Sequence, residues 1–424
     1  MRTIHAAPLA LGLLLAQSAQ AATVVDCGRL LDVKSGKWRD NVSVVVDQGK
    51  VVAVEPAAAG ADHLDLRGYS CLPGLIDTHV HLTLQFGPSY YSDKFRLNPA
   101  DNVIRGTVYA RRTLEAGFTT VRNLGEDDNT SIALRNAVNA GLVPGPRIYS
   151  AGKYVGTTGG HADPTDGYRA DLAGDPGPKE GIINSPADAW KAVRQHYKDG
   201  ADLIKIMPSG GVLDESSSAD NPQMTEEEIK AVVAAAHDYG FTVAAHAHGA
   251  EAIRRAVIGG VDSIEHGTFM DEPDMKLMKE HGTWFVPTAI AGQTVSANAR
   301  VPGTYPPQVA AKALDIGPRI LATLGRAYKY GVKIAFGTDA GVYPHGDNAR
   351  EFAYMVQAGM PALEAIRAAT LNAAELLRHA DTLGQVAPGY AGDLIAVKGD
   401  PLQDVATLQH VEFVMKAGVV YKKP

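Results

Sequence analysis

The sequence predicts an α/β protein: a (β/α)8 TIM barrel with a small β-sandwich formed by both chain ends. Two observations carry this. Between residues 69 and 380, eight short apolar runs alternate with helical patterns, the rhythm of a parallel sheet with crossover helices. At both ends, 22–68 and 381–424, strand-like runs are separated by turn residues. A doubly wound open sheet is the structural alternative, because alternation alone does not prove closure. With 424 residues, the chain can bury a large core in one main domain.

The first segment, 1–21, has the layout of a secretory signal peptide. Arg2 precedes the apolar stretch Ala6 to Ala16, and Ala19-Gln20-Ala21 offers small residues for cleavage after Ala21. The stretch is short for a membrane span, which needs roughly 20 residues. No Cys follows the site and no later segment reads as a membrane helix. The mature protein is therefore expected to be soluble and exported, in the periplasm.

In the sandwich, Val42–Val46 and Val51–Val54 flank Asp47-Gln48-Gly49-Lys50, a hairpin signal. Asp393–Val397, Val411–Met415 and Gly418–Tyr421 give the C-terminal end the same texture. The barrel strands are expected at Leu75–His81, Thr119–Asn123, Arg147–Ala151, Leu203–Met207, Val243–His246, Ser263–His266, Trp284–Pro287 and Lys333–Gly337. Thr225 with Glu228 forms a capping box that starts one helix, and Gly240 stops it. The stretch from about Lys153 to Ser185 is rich in Gly, Pro and Asp and reads as a lid or binding loop. Two cysteines, Cys27 and Cys71, could pair in an oxidising compartment. Cys71 lies in an apolar run, and a small buried hydrophobe is the reading preferred for it.

Composition excludes some functions. A net charge of -7 leaves no basic footprint for nucleic acid. Apolar content of 45% and charged content of 21% suit a soluble enzyme.

Barrel chemistry sits at the C-terminal ends of the strands. Those ends carry His79 and His81, Lys205, His246 or His248, His266 and Asp339. Residues two apart on a strand share a face, so His79 and His81 can reach one metal ion, and imidazole suits zinc and its neighbours. Each residue alone has an ordinary explanation: a buried histidine, a helix cap, a snorkelling lysine. Their joint placement argues against all of these. Lys205 lies in Leu203-Ile204-Lys205-Ile206-Met207, too apolar for a solvent-facing lysine. An ammonium has no lone pair for a metal, but burial frees the amine. A free amine can take up CO2 as a carbamate, whose two oxygens can bridge two cations.

Together His79-x-His81, Lys205, His246, His266 and Gly337-Thr338-Asp339 resemble the amidohydrolase superfamily, over nearly the whole mature chain. Gly117 to Arg122, Gly159-Gly160-His161 and Thr338-Asp339-Ala340-Gly341 look like the branch named for imidazolonepropionase, which also holds binuclear prolidase-like dipeptidases and ochratoxin-type amidases. Imidazolonepropionase uses one metal and lacks the bridging lysine, so Lys205 favours the dipeptidase side. Asn123 departs from the pattern, where relatives commonly carry Asp.

The resemblance implies two divalent metal ions, zinc by default. His79, His81 and Asp339 would hold the first, and His246 and His266 the second, with carboxylated Lys205 and a hydroxide bridging them. His248 shares a face with His246 and competes with it; the pattern His-Ala-x-Gly favours His246. Asp339 would shuttle the proton to the leaving amine, and His161 would stabilise the oxyanion. His161, Tyr168, Arg169, Tyr343 and His345 are the candidate substrate-binding residues. The expected reaction is hydrolysis of an amide beside a terminal carboxylate, in a dipeptide, an N-acyl amino acid or an ochratoxin-like amide. A one-metal deaminase or cyclic-amide hydrolase is the competing class. The resemblance also suggests a homo-oligomer, an octamer among the options.

Overall fold

The computed structural model describes residues 22–57, 63–215 and 218–424, so the expected leader lies outside the described residues. Four strands open the described chain: β1 (Thr23–Asp32), β2 (Lys37–Asp47), β3 (Lys50–Pro56) and β4 (Leu64–Pro73). The β2–β3 hairpin turns on Gln48 and Gly49, whose φ angles of 47° and 77° match the right-handed strand twist. Three strands close the chain: β12 (Leu394–Val397), β13 (Val411–Lys416) and β14 (Val419–Lys422). All seven form one sheet, ordered β14-β13-β12-β4-β1-β2-β3, so the two chain ends do pair. The sheet curls until Lys50 bridges Ala391. Its inner face buries Val25, Val44, Leu66, Leu394, Phe413 and Met415 as a core of its own. β4 runs through residue 68 to Pro73 and delivers the chain directly into the barrel.

Cys71 corrects the sequence expectation. It is buried, but it is bonded to Cys27 across β1 and β4, with a Cα–Cα separation of 6.0 Å. The pairing closes a 44-residue loop, worth about 4 kcal/mol by chain-entropy reasoning.

The barrel strands are β5 (Leu75–Val80), β6 (Phe118–Asn123), β7 (Arg147–Ser150), β8 (Ile204–Ile206), β9 (Val243–Ala247), β10 (Ser263–His266) and β11 (Trp284–Val286). They form two parallel arcs, β5-β6-β7 and β8-β9-β10-β11. The candidate loop after β7 joins the arcs: Val155 bridges Ile206, donating its N–H to the carbonyl of Lys205 at 2.9 Å. The eighth segment, 333–340, is extended but not a regular strand. Phe285 bridges Ile334 on one side and Val80 bridges Ala340 on the other. Gly337 explains the irregularity. A Cβ there would lie 2.3 Å from Val286 Cγ1 on β11 and 3.0 Å from His79 Cβ on β5, so the chain is wedged between the two strands too tightly to pleat normally. The ring is closed, and the sequence-expected barrel is present.

The helix Glu226–Asp238 shows the expected capping box from Thr225 and Glu228. Gly240 follows at φ 74°. Among the described residues, no helix is long and apolar enough to cross a membrane.

Candidate metal centre

His79 and His81 leave β5 on the inner side, and each ring is anchored through one nitrogen. His79 Nδ1 lies 2.9 Å from Glu265 Oε2. His81 Nδ1 donates to the carbonyl of Gly125 at 2.8 Å. That leaves both Nε2 atoms facing Asp339 Oδ1, at 3.5 and 3.1 Å. One donor atom from each of these three side chains lies within 4.8 Å of the others.

A second cluster with the same spacing joins His246, His248 and His266. His266 Nδ1 is 2.7 Å from Thr288 Oγ1, and His248 Nδ1 is 2.8 Å from Thr268 Oγ1. His246 Nε2 donates to the carbonyl of Gly210 at 3.2 Å, leaving Nδ1 as its free nitrogen. Anchoring one imidazole nitrogen so that the other can ligate is the usual outer-shell arrangement of metal histidines. The two clusters adjoin, with the His79 and His266 rings 5.0 Å apart.

Backbone conformation helps aim these groups. His266, Thr288 and Asp339 adopt φ angles of 71°, 49° and 60°, in the left-handed region that non-glycine residues rarely enter. Alternation on β10 would send Glu265 and His266 to opposite faces. The left-handed turn at His266 brings both to the inside.

The electrostatics suit a divalent cation. Burial lowers His79 to about 4 and His248 to about 3, and holds His246 and His266 well below the ordinary histidine value. All four therefore offer neutral lone pairs at pH 7. Burial opposes ionisation of Asp339, but His79, His81 and Lys205 outweigh it and keep the carboxyl below its usual range. Lys205 is 1% exposed on β8. Burial pulls it down to about 8, against the opposing pull of Glu265 and Asp339, so a usable fraction of free amine exists near neutrality.

Two further side chains escaped the sequence reading. Glu265 and Arg122 form a fully buried ion pair, Nη2 to Oε1 at 2.8 Å. Arg122 Nε also donates to the carbonyl of Thr78 at 2.6 Å, and Nη1 to Ser263 Oγ at 3.1 Å. Burial would raise Glu265, but Arg122, His79 and Lys205 hold it at about 2. It is thus the fixed anion behind His79. The available signal was an acid directly before a strand-end histidine, Glu265-His266. Asn123 is fully buried and accepts from the N–H of Leu82 at 2.7 Å while donating to Glu126 at 2.8 Å. It braces the chain just after His81.

The remaining predicted residues are placed less uniformly. His161 lies on the loop after β7 with its ring 4.5 Å from that of His246. Its Nδ1 is 2.8 Å from Asp214 Oδ1, and its N–H donates to Gln223 Oε1 at 2.9 Å. Tyr168 packs on Phe95, ring centroids 5.3 Å apart. Arg169 is exposed, and Asp171 takes its guanidinium in two hydrogen bonds. Tyr343 and His345 are buried. His345 Nε2 donates to the carbonyl of Leu84 at 2.9 Å, and its ring stacks on Tyr109.

A closed parallel barrel with two histidine-rich donor clusters at its strand ends defines a barrel protein whose strand ends could hold metal. The chain belongs to the amidohydrolase family, whose model matches residues 71–421. Ochratoxinase from Aspergillus niger is 30% identical over 97% of this chain and 89% of its own length. Its crystal structure superimposes with a TM-score of 0.84 at 29% identity, over 95% of this chain and 96% of that one. A Xaa-Pro dipeptidase solved with methionine in its active site reaches a TM-score of 0.91 at 46% identity, over 95% of this chain and all of its own. Imidazolonepropionase from Micrococcus luteus is more distant, at 25% identity over 88% of this chain and 92% of its own. The protein is a hydrolase acting on C–N bonds.

Proposed function

We propose that the protein is a binuclear amidohydrolase that cleaves an amide beside a terminal carboxylate. The observation that carries the reading is the pair of adjoining donor clusters with a buried lysine close by. One cluster would hold one ion through His79, His81 and Asp339. The other would hold a second through His246 and His266, with His248 beside them. Lys205, carboxylated by CO2, would bridge the two; the need for a shared anion explains a lysine in so apolar a place. When bound, two divalent cations supply Lewis acidity toward a carbonyl and make a nucleophile of water at neutral pH. Zinc is the default, with manganese or cobalt able to substitute.

The chain's own residues do the rest. Asp339, kept ionised, accepts a proton from the attacking water and delivers it to the leaving nitrogen. His161 faces the carbonyl oxygen from the loop side. Tyr168 packs against Phe95 on the loops around the site and is a candidate contact for the substrate body. Arg169 must leave Asp171 before it can clasp a carboxylate. Tyr343 and His345 are the remaining candidate substrate contacts, and both are buried. The relative named for Xaa-Pro dipeptides supports the substrate class, since such a dipeptide carries its amide next to a carboxylate. We further propose export to the periplasm; the Cys27–Cys71 disulfide supports an oxidising compartment.

The test is turnover. Metal-loaded protein screened against Xaa-Pro and other dipeptides, N-acyl amino acids and ochratoxin-like amides should release a free amino acid from at least one class. The carboxamide-capped versions should react poorly. Equal turnover of capped and uncapped substrates would exclude recognition of the carboxylate.

A further inference from the structure

The loop 208–215 places a carboxylate behind His161 that no spacing in the sequence connects to it, since 53 residues separate the two. We propose that Asp214 is the positioning residue of His161: an Asp–His pair that fixes the ring and presents Nε2 to the substrate carbonyl. The inference rests on the amidohydrolase reading above and adds a working part to it.

Four independent contacts build the pair. Asp214 Oδ1 takes the Nδ1 side of the ring at 2.8 Å. Asp214 Oδ2 accepts the N–H of Gly211 at 2.7 Å, so the carboxylate is itself held at both oxygens. Lys312, from the helix Pro307–Tyr330, donates to the carbonyl of Asp214 at 2.5 Å and sits 3.4 Å from that of Gly211. Gln223 Oε1 holds the backbone N–H of His161. Gly211 completes the cradle. A Cβ on it would lie 2.4 Å from His161 Cε1 and 2.6 Å from Nδ1, so the imidazole occupies the space that any other residue would fill.

The arrangement has a chemical consequence. With Nδ1 committed to Asp214, Nε2 is the nitrogen left to face substrate. When Nε2 also carries a proton, the ring is a cationic donor and Asp214 supplies its counter-charge. A donor aimed at a developing oxyanion is worth about 10²–10³-fold in kcat. An acid that orients a histidine contributes through the ring angle it enforces and the counter-charge it gives the doubly protonated ring, and its amide analogue loses that counter-charge. Binding of the ground-state substrate gains little from such a donor, because full charge appears on the oxygen only in the transition state.

The test compares Asp214→Asn with Asp214→Glu and His161→Asn, all in the metal-loaded enzyme. Asp214→Asn keeps an oxygen for the N–H of Gly211, so the loop retains its internal bond. It should lower kcat about 10²-fold with KM within about 3-fold, and should retain the wild-type metal content. A phosphonate analogue of the tetrahedral intermediate should lose affinity by a similar factor, while the product amino acid should not. Asp214→Glu should recover part of kcat. Imidazole NMR of the resting protein gives a readout free of substrate. A hydrogen-bonded Nδ1 proton should be present in wild type and absent from both Asp214→Asn and His161→Asn. If no amide in the panel is turned over by wild type, the functional reading fails, and the NMR signal still decides the pairing. An Asp214→Asn enzyme with wild-type kcat, one that loses its metals along with activity, or one that keeps the Nδ1 signal would each overturn the proposal.

Discussion

Glu265→Gln is the most searching perturbation of the site, because it changes no ligand. The substitution keeps shape and leaves an oxygen available to His79 Nδ1. It removes the negative charge that holds His79 in place and neutralises Arg122, and both partners are 0–1% exposed. Two effects follow. Loss of an outer partner of a metal histidine typically costs 10–100-fold in metal affinity, about 1.4–2.7 kcal/mol. The Arg122 guanidinium is left buried without its counter-charge, and breaking such a pair costs about 3–5 kcal/mol of stability. Metal titration against a competing chelator, run beside urea unfolding, reads both. The ion held by His79, His81 and Asp339 should weaken first. In the double variant Arg122→Met/Glu265→Leu, much of the stability should return, because no lone buried charge remains, while metal affinity stays low. A Glu265→Gln protein with wild-type metal affinity would refute the argument that Glu265 sets the orientation and basicity of His79.

Asp339→Asn should retain much of the metal but lower kcat by about 10²–10⁴-fold, since an amide cannot accept the proton; near wild-type kcat with both ions bound would remove the proton-transfer role. Lys205→Ala should lose ions and activity together, and short carboxylic acids should partly restore both by standing in for the carbamate. Normal turnover with two ions in that variant would end the bridging assignment. Carboxylation also has a pH signature. Burial lowers the Lys205 amine to about 8, so the neutral form needed for CO2 uptake grows as pH rises through 8 and saturates above it. Reconstitution of metal-free protein with metal and bicarbonate should follow that curve. A midpoint near the ordinary lysine value of roughly 10.4, or no dependence on bicarbonate, would contradict it.

Much of this site was legible in the chain because strand periodicity is local. His79 and His81 declare a shared face by their spacing, and Lys205 stands out by the apolar residues on either side of it. The outer partners are a different matter. Glu265 is hidden by the same alternation rule, since only the left-handed φ of 71° at His266 puts neighbouring residues on one side. Arg122 lies in plain view on β6, but its three acceptors come from β5 and β10. His161 meets Asp214 only because two loops cross the same barrel mouth. The Cys27–Cys71 pair was open in the sequence because neighbouring strands in the sheet are far apart in the chain. The eighth barrel segment is irregular for a packing reason, the wedging of Gly337 between β11 and β5, which apolar periodicity does not register. His246 and His248 both enter the second cluster, as residues two apart at the end of β9 should, although His248 lies one residue past the strand. Alanine substitution at each, with metal content as the readout, would rank them.

If the two donor clusters work as one centre, the active protein holds two ions. Elemental analysis of the purified, fully active protein tests it directly. Close to two divalent ions per chain are expected, with hydrolysis lost on chelation and regained on adding metal. A fully active enzyme holding a single ion per chain would contradict it.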